Sequence, residues 1–318
     1  MAIRLRTIRD RPLLTEIHGP EFCPQKGVAY VFGRSQEERS EHIDTLRERS
    51  VDVAFVEISH QEEDHFETTA DGSKSVIALR SSSQLSAFCN ELKGDPIFLD
   101  ITGLSHHVWA PLLRAAVNSR KSVLVVYVEP WTYRYSETPT EGEIFDLSER
   151  ISGIAPIAGF ACLNEPSEED RCFVPLLGFE GTRLSFVLEQ VQPVGQSVVP
   201  IVGVPGFRPE FPFYTYLGNR LPLSRSLAWL NVRFAIANCP FSLFYELQGV
   251  AADYPRSLLQ IAPIGTKPHA LGAVLYALAS PRQVELVYDH PIRRPQRTTG
   301  INRLLVYDIS SFLAGTFR

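Results

Sequence analysis

No apolar run in the 318-residue chain approaches the roughly 20 residues needed to cross a bilayer, so no membrane span is expected. The opening segment, Met1 to Arg6, lacks the apolar core and small-residue cleavage site of a secretory signal, and a cytoplasmic location is the expectation. Cysteine is sparse. Cys23, Cys89, Cys162, Cys172 and Cys239 are odd in number, scattered and never in CxxC spacing, which argues against a disulfide framework or a structural zinc site. Positive charge is not in excess: the formal net charge of -5 does not indicate a nucleic-acid-binding surface, although Arg293, Arg294, Arg297 and Arg303 cluster locally. No repeat of solenoid period and no low-complexity tract interrupts the chain.

The sequence also lacks the short motifs that announce particular chemistries. There is no GxxxxGK[ST] loop, no GxGxxG fingerprint, no GxSxG elbow, no HExxH and no local Cys–His pair. These absences leave no nucleophile to assign and no cofactor or metal to expect. His60, Glu62, Glu63, Asp64, His65 and Glu67 crowd into eight residues, but without fixed spacing on a helix face they read as a solvated acidic excursion rather than a metal site.

What is present is the composition of a soluble globular protein, 44% hydrophobic and 21% charged, in a chain long enough for two domains. Short β-branched runs alternate with helical periods. Strands are expected at 27–32, 51–58, 75–79, 96–101, 122–128, 172–177, 198–204, 231–237, 258–262, 284–290 and 302–309, with helices between many of them. Ser35 with Glu38 reads as a capping box ahead of a helix from Gln36 to Arg49. The near-continuous apolar run Val123 to Val128 suits a strand buried on both faces of a parallel sheet. Between Trp131 and Gly153 the apolar periodicity fades, as in a linker or flap. The expected fold is therefore α/β, with two Rossmann-like lobes of mostly parallel sheet, at 1–150 and 151–318.

One stretch stands out for chemistry. Leu258 to Ala262 reads as a buried strand that enters a turn carrying Gly265, Thr266, Lys267 and His269, followed by a helix. A helix N-terminus presents unpaired N–H groups and a positive dipole end, so this turn is a candidate anion site. A second strand-to-helix turn, Gly178-Phe179-Glu180-Gly181-Thr182-Arg183, offers Gly178, Glu180, Thr182 and Arg183 as further ligand contacts. The segments 98–130 and 259–291 share a plan: strand, glycine turn with histidine, helix, then a strand closing on Tyr, an acid and Pro. In parallel sheets both turns fall at strand carboxyl ends, where α/β proteins bind ligands. His269, His106, Glu180 and Asp100 are the acid–base candidates should the chain be an enzyme. The loop Pro205 to Tyr214 is too apolar to be left in water and is expected to pack against a lobe, a ligand or a partner.

Alternating strands and helices with ligand-ready turns and no catalytic signature resemble the nucleotide-sensing Rossmannoid proteins of prokaryotic defence systems, such as CRISPR-associated Rossmann-fold sensors. The resemblance is one of architecture; it spans most of the chain and transfers no functional residue. It implies a binding module in antiviral defence that recognises a phosphate-bearing nucleotide or metabolite between the lobes and signals through an oligomer or protein partner. The alternatives are an enzyme hydrolysing or transferring on a nucleotide or sugar phosphate, and a scaffold subunit of a larger complex.

Overall fold

The computed structural model describes residues 14–19, 21–70, 73–140, 143–162, 171–194 and 197–316. The first half runs β1 (Thr15–His18), β2 (Val28–Gly33), a 3-10 turn (Glu38–Ser40), α1 (His42–Arg49), β3 (Val53–Ser59), β4 (His65–Ala70), β5 (Ser73–Ala78), α2 (Ser82–Glu91), β6 (Ile97–Asp100), α3 (His106–Val117) and β7 (Val123–Tyr133). Four short strands follow: β8 (Tyr135–Thr140), β9 (Glu143–Phe145), β10 (Ser148–Ile151) and β11 (Ala155–Pro156). The second half runs β12 (Arg171–Pro175), α4 (Gly181–Val191), β13 (Ile201–Gly203), α5 (Phe211–Arg225), β14 (Arg233–Ala235), α6 (Pro240–Asp253), β15 (Leu258–Ala262) and α7 (Lys267–Ala279). It ends with β16 (Val284–Tyr288), β17 (Pro291–Arg293), β18 (Thr298–Asp308) and α8 (Ile309–Thr316).

Two sheets organise these elements. The larger has the order β1-β18-β7-β6-β2-β3-β4-β5, with a parallel centre of β7, β6, β2 and β3 flanked by antiparallel strands. In the other, β11-β16-β15-β12 continues through the parallel bridges Phe173–Val198 and Leu176–Ile201 to the pair β13-β14. The fold is thus mixed α/β, with eight α-helices among the described residues.

Period-two alternation explains the layering. Along β2, Ala29 and Val31 point into one core while Val28, Tyr30 and Phe32 point into another, and all five are at most 1% exposed. The first of these cores also takes Val174, Leu176, Leu259 and Ile261 from the second sheet, together with residues of α3, α6, α7 and α8. One hydrophobic cluster therefore lies between the two sheets, with helices as its filling. The outer face of the second sheet has its own cluster, in which Leu184 and Val187 of α4 meet Phe173 and Val202.

Several local expectations change. A division at residue 150 does not describe where the chain goes, because β18 returns from the C-terminus to lie between β1 and β7 in the first sheet. Its Leu305 and Tyr307 are fully buried there, so the pairing is driven by the same apolar alternation that made 302–309 legible as a strand. The 131–153 segment is built of short strands rather than a linker, and Phe145 and Leu147 anchor it in the interior. The acidic excursion contributes β4, which forms an antiparallel pair with β5. Ser35 is not the cap expected of it: the 3-10 turn starts after Glu37, and α1 begins only at His42. The apolar loop enters α5 at Phe211, with Pro212 in the first turn where its missing N–H costs nothing.

A fragment ending at residue 150 lacks β18 and exposes the edge of β7. Expressed alone it should show no cooperative urea transition by circular dichroism, whereas a cooperative transition would mean that the first half folds independently.

Candidate functional site

The loops that leave the parallel strands at their carboxyl ends converge on two adjoining pockets. The first is narrow and is lined from the loops after β12, β13, β14 and β15, from β7 and β17, and from Arg39 and Arg297. The second, about 1680 Å³ and open to solvent, takes its walls from the loops after β2, β3, β6 and β16. His106, Lys267, Arg293 and Arg297 line both, so the two meet at these residues.

Backbone approach brings the loops this close. A Cβ on Gly265 would sit 2.6 Å from the carbonyl oxygen of Leu177, so the turn after β15 abuts the turn after β12 only because position 265 has no side chain. Gly103 abuts Gly33 in the same way, joining the loops after β6 and β2.

The turn from Gly265 to His269 begins α7. Thr266 is its N-cap, accepting from the His269 N–H at 3.3 Å and donating to the Ala237 carbonyl at 2.9 Å. The Lys267 ammonium crosses to the first sheet and donates to the carbonyls of Ile101, Thr102 and Leu104 at 2.6, 2.7 and 2.8 Å. An ammonium has three N–H donors, and here all are used. The two turns of the shared plan, after β6 and after β15, therefore touch directly. Burial, with Arg39 and Arg297 nearby, holds the Lys267 pKa well below the usual lysine range, while Glu37 opposes that shift.

Buried carboxylates neutralise most of the surrounding arginines. Glu37, 7% exposed, accepts from Arg39 at 2.8 Å, from Arg297 at 2.7 and 3.0 Å, and from the Thr298 hydroxyl at 2.7 Å. Burial would raise its pKa, but Arg39 and Arg297 bring it well below the ordinary carboxylate range. Arg183 forms a bidentate pair with Asp289, both bonds 2.6 Å, and donates a third bond to the Ile264 carbonyl at 2.8 Å. Burial alone would raise the Asp289 pKa; the Arg183 pairing overrides it and leaves it lowered.

The C-terminal arginine cluster then separates into paired and unpaired members. Arg294 meets Asp146 at 2.7 Å, Arg297 is held by Glu37, and Arg303 donates to the buried Glu129 at 2.9 Å. Arg293 has no hydrogen-bond or ion-pair partner among the described residues. Burial, with Arg183 and Arg297 beside it, pushes its pKa down to about 10. Beside it His106 is 2% exposed, and its Nε2 has no partner among the described residues. Its pKa is well below the ordinary histidine value, first through burial and then through Lys267 and Arg293, so the ring is neutral at pH 7. A half-buried guanidinium and a buried ring nitrogen, neither with a partner among the described residues, stand at the junction of the pockets, an arrangement able to receive an anion.

The opposite side of the first pocket is aromatic. Tyr133, Phe179 and Phe211 meet edge to face with centroids 5.2–5.7 Å apart, and Phe207 packs beside Tyr127 at 6.2 Å. Phe145, from the β9 strand, stacks on Phe179 at 4.5 Å and props that wall from behind.

No family model, curated protein or solved structure matches this chain. The site therefore has to be read from its own geometry.

Of the ligand contacts expected from sequence, Gly178, Glu180, Arg183, Gly265, Thr266 and Lys267 line the first pocket. Thr182 faces a different depression beside β8 to β10. His269 is fully buried with Nε2 3.1 Å from the Ile236 carbonyl, its pKa pushed down to about 4 by burial, and it lines neither pocket. Asp100 is turned away too, engaged by Tyr30 at 2.9 Å, the Thr102 N–H at 2.9 Å and His42 at 2.8 Å. Glu180 accepts from the Leu147 N–H and the Ser148 hydroxyl, which ties the short-strand segment to α4. Of the four acid–base candidates, His106 alone combines a place at the pocket with an unengaged ring nitrogen. No group of three or more potential metal ligands occurs among the described residues. Sequence reasoning missed Arg39, Glu37, Tyr127 and Tyr133, which carry no motif. It noted Arg293 and Arg297 only as a basic patch.

Removing Asp289 would strand the buried Arg183 charge, so Asp289→Ala should cost about 3–5 kcal/mol, read from urea unfolding. Because the folded Asp289 pKa is lowered, the pair's contribution is complete above the unfolded carboxylate pKa and is lost as pH falls through the folded value.

Proposed function

We propose that the cleft binds a phosphate-bearing nucleotide or metabolite, with the anion at Arg293 and His106 and an aromatic or apolar part against Tyr133, Phe179, Phe207 and Phe211. The observation that carries this reading is the pairing of the arginine cluster, in which Arg293 alone lacks a carboxylate while standing beside the unsatisfied His106. Five cations, Arg39, Arg183, Lys267, Arg293 and Arg297, face three carboxylates, Glu37, Glu180 and Asp289. Basic groups outnumber carboxylates around the first pocket, which suits an anionic ligand.

Topology supports the same reading. The parallel orders β3-β2-β6-β7 and β14-β13-β12-β15-β16 correspond to the two common doubly wound sheets, and this favours two Rossmann-like lobes. Their order reverses between β2 and β6 and between β12 and β15, and the loops leaving those four strands line the pockets. A signalling role through a partner or oligomer, as in defence sensors, draws support from the exposed apolar face of α5 and its neighbourhood: Phe213 is 75% exposed, Leu230 63% and Leu221 54%.

A thermal-shift screen of nucleotides and sugar phosphates should raise the Tm. Arg293→Ala should weaken binding about 10-fold to 150-fold, the value of a charge-assisted bond, without lowering the Tm of the free protein. No stabilisation by any ligand, or unchanged affinity in Arg293→Ala, would refute the assignment.

A bound anion raises the pKa of His106 from its depressed free value. Between the free and bound values, binding takes up a proton and affinity falls as pH rises. Calorimetry in buffers of different ionisation enthalpy should record this uptake, beyond any from the ligand itself, and His106→Gln should abolish it.

A further inference from the structure

The two pockets differ in character, and the difference bears on what kind of phosphate compound fits them. The first is narrow and closed on one side by aromatic rings. The second is polar. Among the described residues, Glu62 and Glu63 present exposed carboxylates there without cationic partners, and the half-buried His290 ring makes no hydrogen bond. His290 is held in place by its neighbours, with its ring centroid 5.4 Å from that of His107 and 5.0 Å from that of Tyr288. Its backbone takes the left-handed conformation at φ 40°, which is uncommon for a non-glycine residue.

The unsatisfied groups lie where these two environments meet. Arg293, Lys267 and Arg297 line both pockets, and so does His106, whose side chain is almost wholly buried and whose Nε2 is unpartnered. An anion there has one pocket on either side. A nucleoside monophosphate would set its base against the aromatic wall and its phosphate at the junction and leave the polar pocket to water. A pyrophosphate linkage esterified at both ends carries about one negative charge on each phosphorus and an ester group on either side, so it can lie at the junction with one substituent in each pocket.

Resting on the reading of the junction as a phosphate site, we infer that the ligand is a two-part molecule: a nucleoside whose pyrophosphate lies at the Arg293–His106 junction and whose second, hydroxyl-rich group occupies the polar pocket beside His290 and Glu63. Carboxylates and a neutral imidazole are acceptors for sugar hydroxyls, while the aromatic wall has the flat apolar surface that a base needs for stacking. Sugar nucleotides and dinucleotides share this chemistry.

Calorimetry on the full chain separates the possibilities. The probes are ADP, UDP and GDP, each compared with its diester: ADP-ribose and NAD for ADP, UDP-glucose for UDP, GDP-mannose for GDP. At least one diester should bind ten or more times as tightly as its parent diphosphate. A larger gain with NAD than with ADP-ribose would assign the polar pocket to a second nucleoside, and the reverse to a sugar. Glu63→Gln, at an exposed position that does not threaten folding, and His290→Ala should each reduce that gain. Phe179→Ala should weaken diphosphate and diester alike. If diphosphates bind but no diester exceeds its parent, or if neither polar-pocket variant changes the diester's affinity, the two-part inference is wrong and the phosphate site stands. If no probe binds, diphosphates included, the phosphate site itself is refuted.

Discussion

The structure depends on one ammonium group bridging its two sheets. Lys267 stands at the first position of α7, on the second sheet, and its three donors end on three carbonyls of the turn that follows β6 in the first. Such a cross-link fixes direction as well as distance, because each N–H must meet its own oxygen. It sets the two strand-to-helix turns face to face, and α3 and α7, which start from them, then pack within the shared core. Leaving a cation in that position without an acidic partner is costly unless its hydrogen bonds are complete, and here they are.

Around that cross-link the charges fall into two kinds. Glu37 and Asp289 satisfy Arg39, Arg297 and Arg183 with short bonds, which makes these residues part of the framework. Arg293 and the His106 Nε2 take no hydrogen bond or ion pair from this framework among the described residues. Unsatisfied buried polar atoms are uncommon in proteins, and here the buried His106 Nε2 and the half-buried, unpaired Arg293 both lie where two pockets meet. Burial, reinforced by Lys267, Arg293, Arg183 and Arg297, depresses the His106 pKa and keeps its ring neutral at pH 7.

The aromatic wall shows how distant segments cooperate. Tyr133 ends β7, Phe145 comes from the short strands after it, Phe179 from the turn before α4, and Phe207 and Phe211 from the approach to α5. Glu180 links two of these segments through Leu147 and Ser148. The same α5 that contributes Phe211 to the pocket turns Phe213 and Leu221 to solvent, so one helix carries both part of the pocket wall and an apolar outer face.

The alternation of apolar residues was enough to place most of the strands, because each central strand is buried on both faces and its run of Val, Ile, Leu and Phe has no other stable use. It also identified the turn after β15 and its counterpart after β6, since glycine, a cap and a following helical period are local signals. Local signals could not tell which donors would remain free. Lys267 looked like the ligand's cation and serves as a cross-link, while Arg293, one arginine in a patch of four, is left unpaired only because Asp146, Glu37 and Glu129 claim the others from far along the chain. His269 and His106 hold similar positions in the two turns, yet one is closed in against Ile236 and the other faces the junction. The return of β18 to the first sheet was equally out of reach, since a strand's apolar period states that it must be buried and not beside which strand. The sequence by itself determined the elements and the turns where a ligand would lie. Which side chains there were already satisfied, and which waited for a partner, was decided only by tertiary structure, because hydrogen-bond satisfaction depends on partners that the chain brings together from a hundred residues or more away.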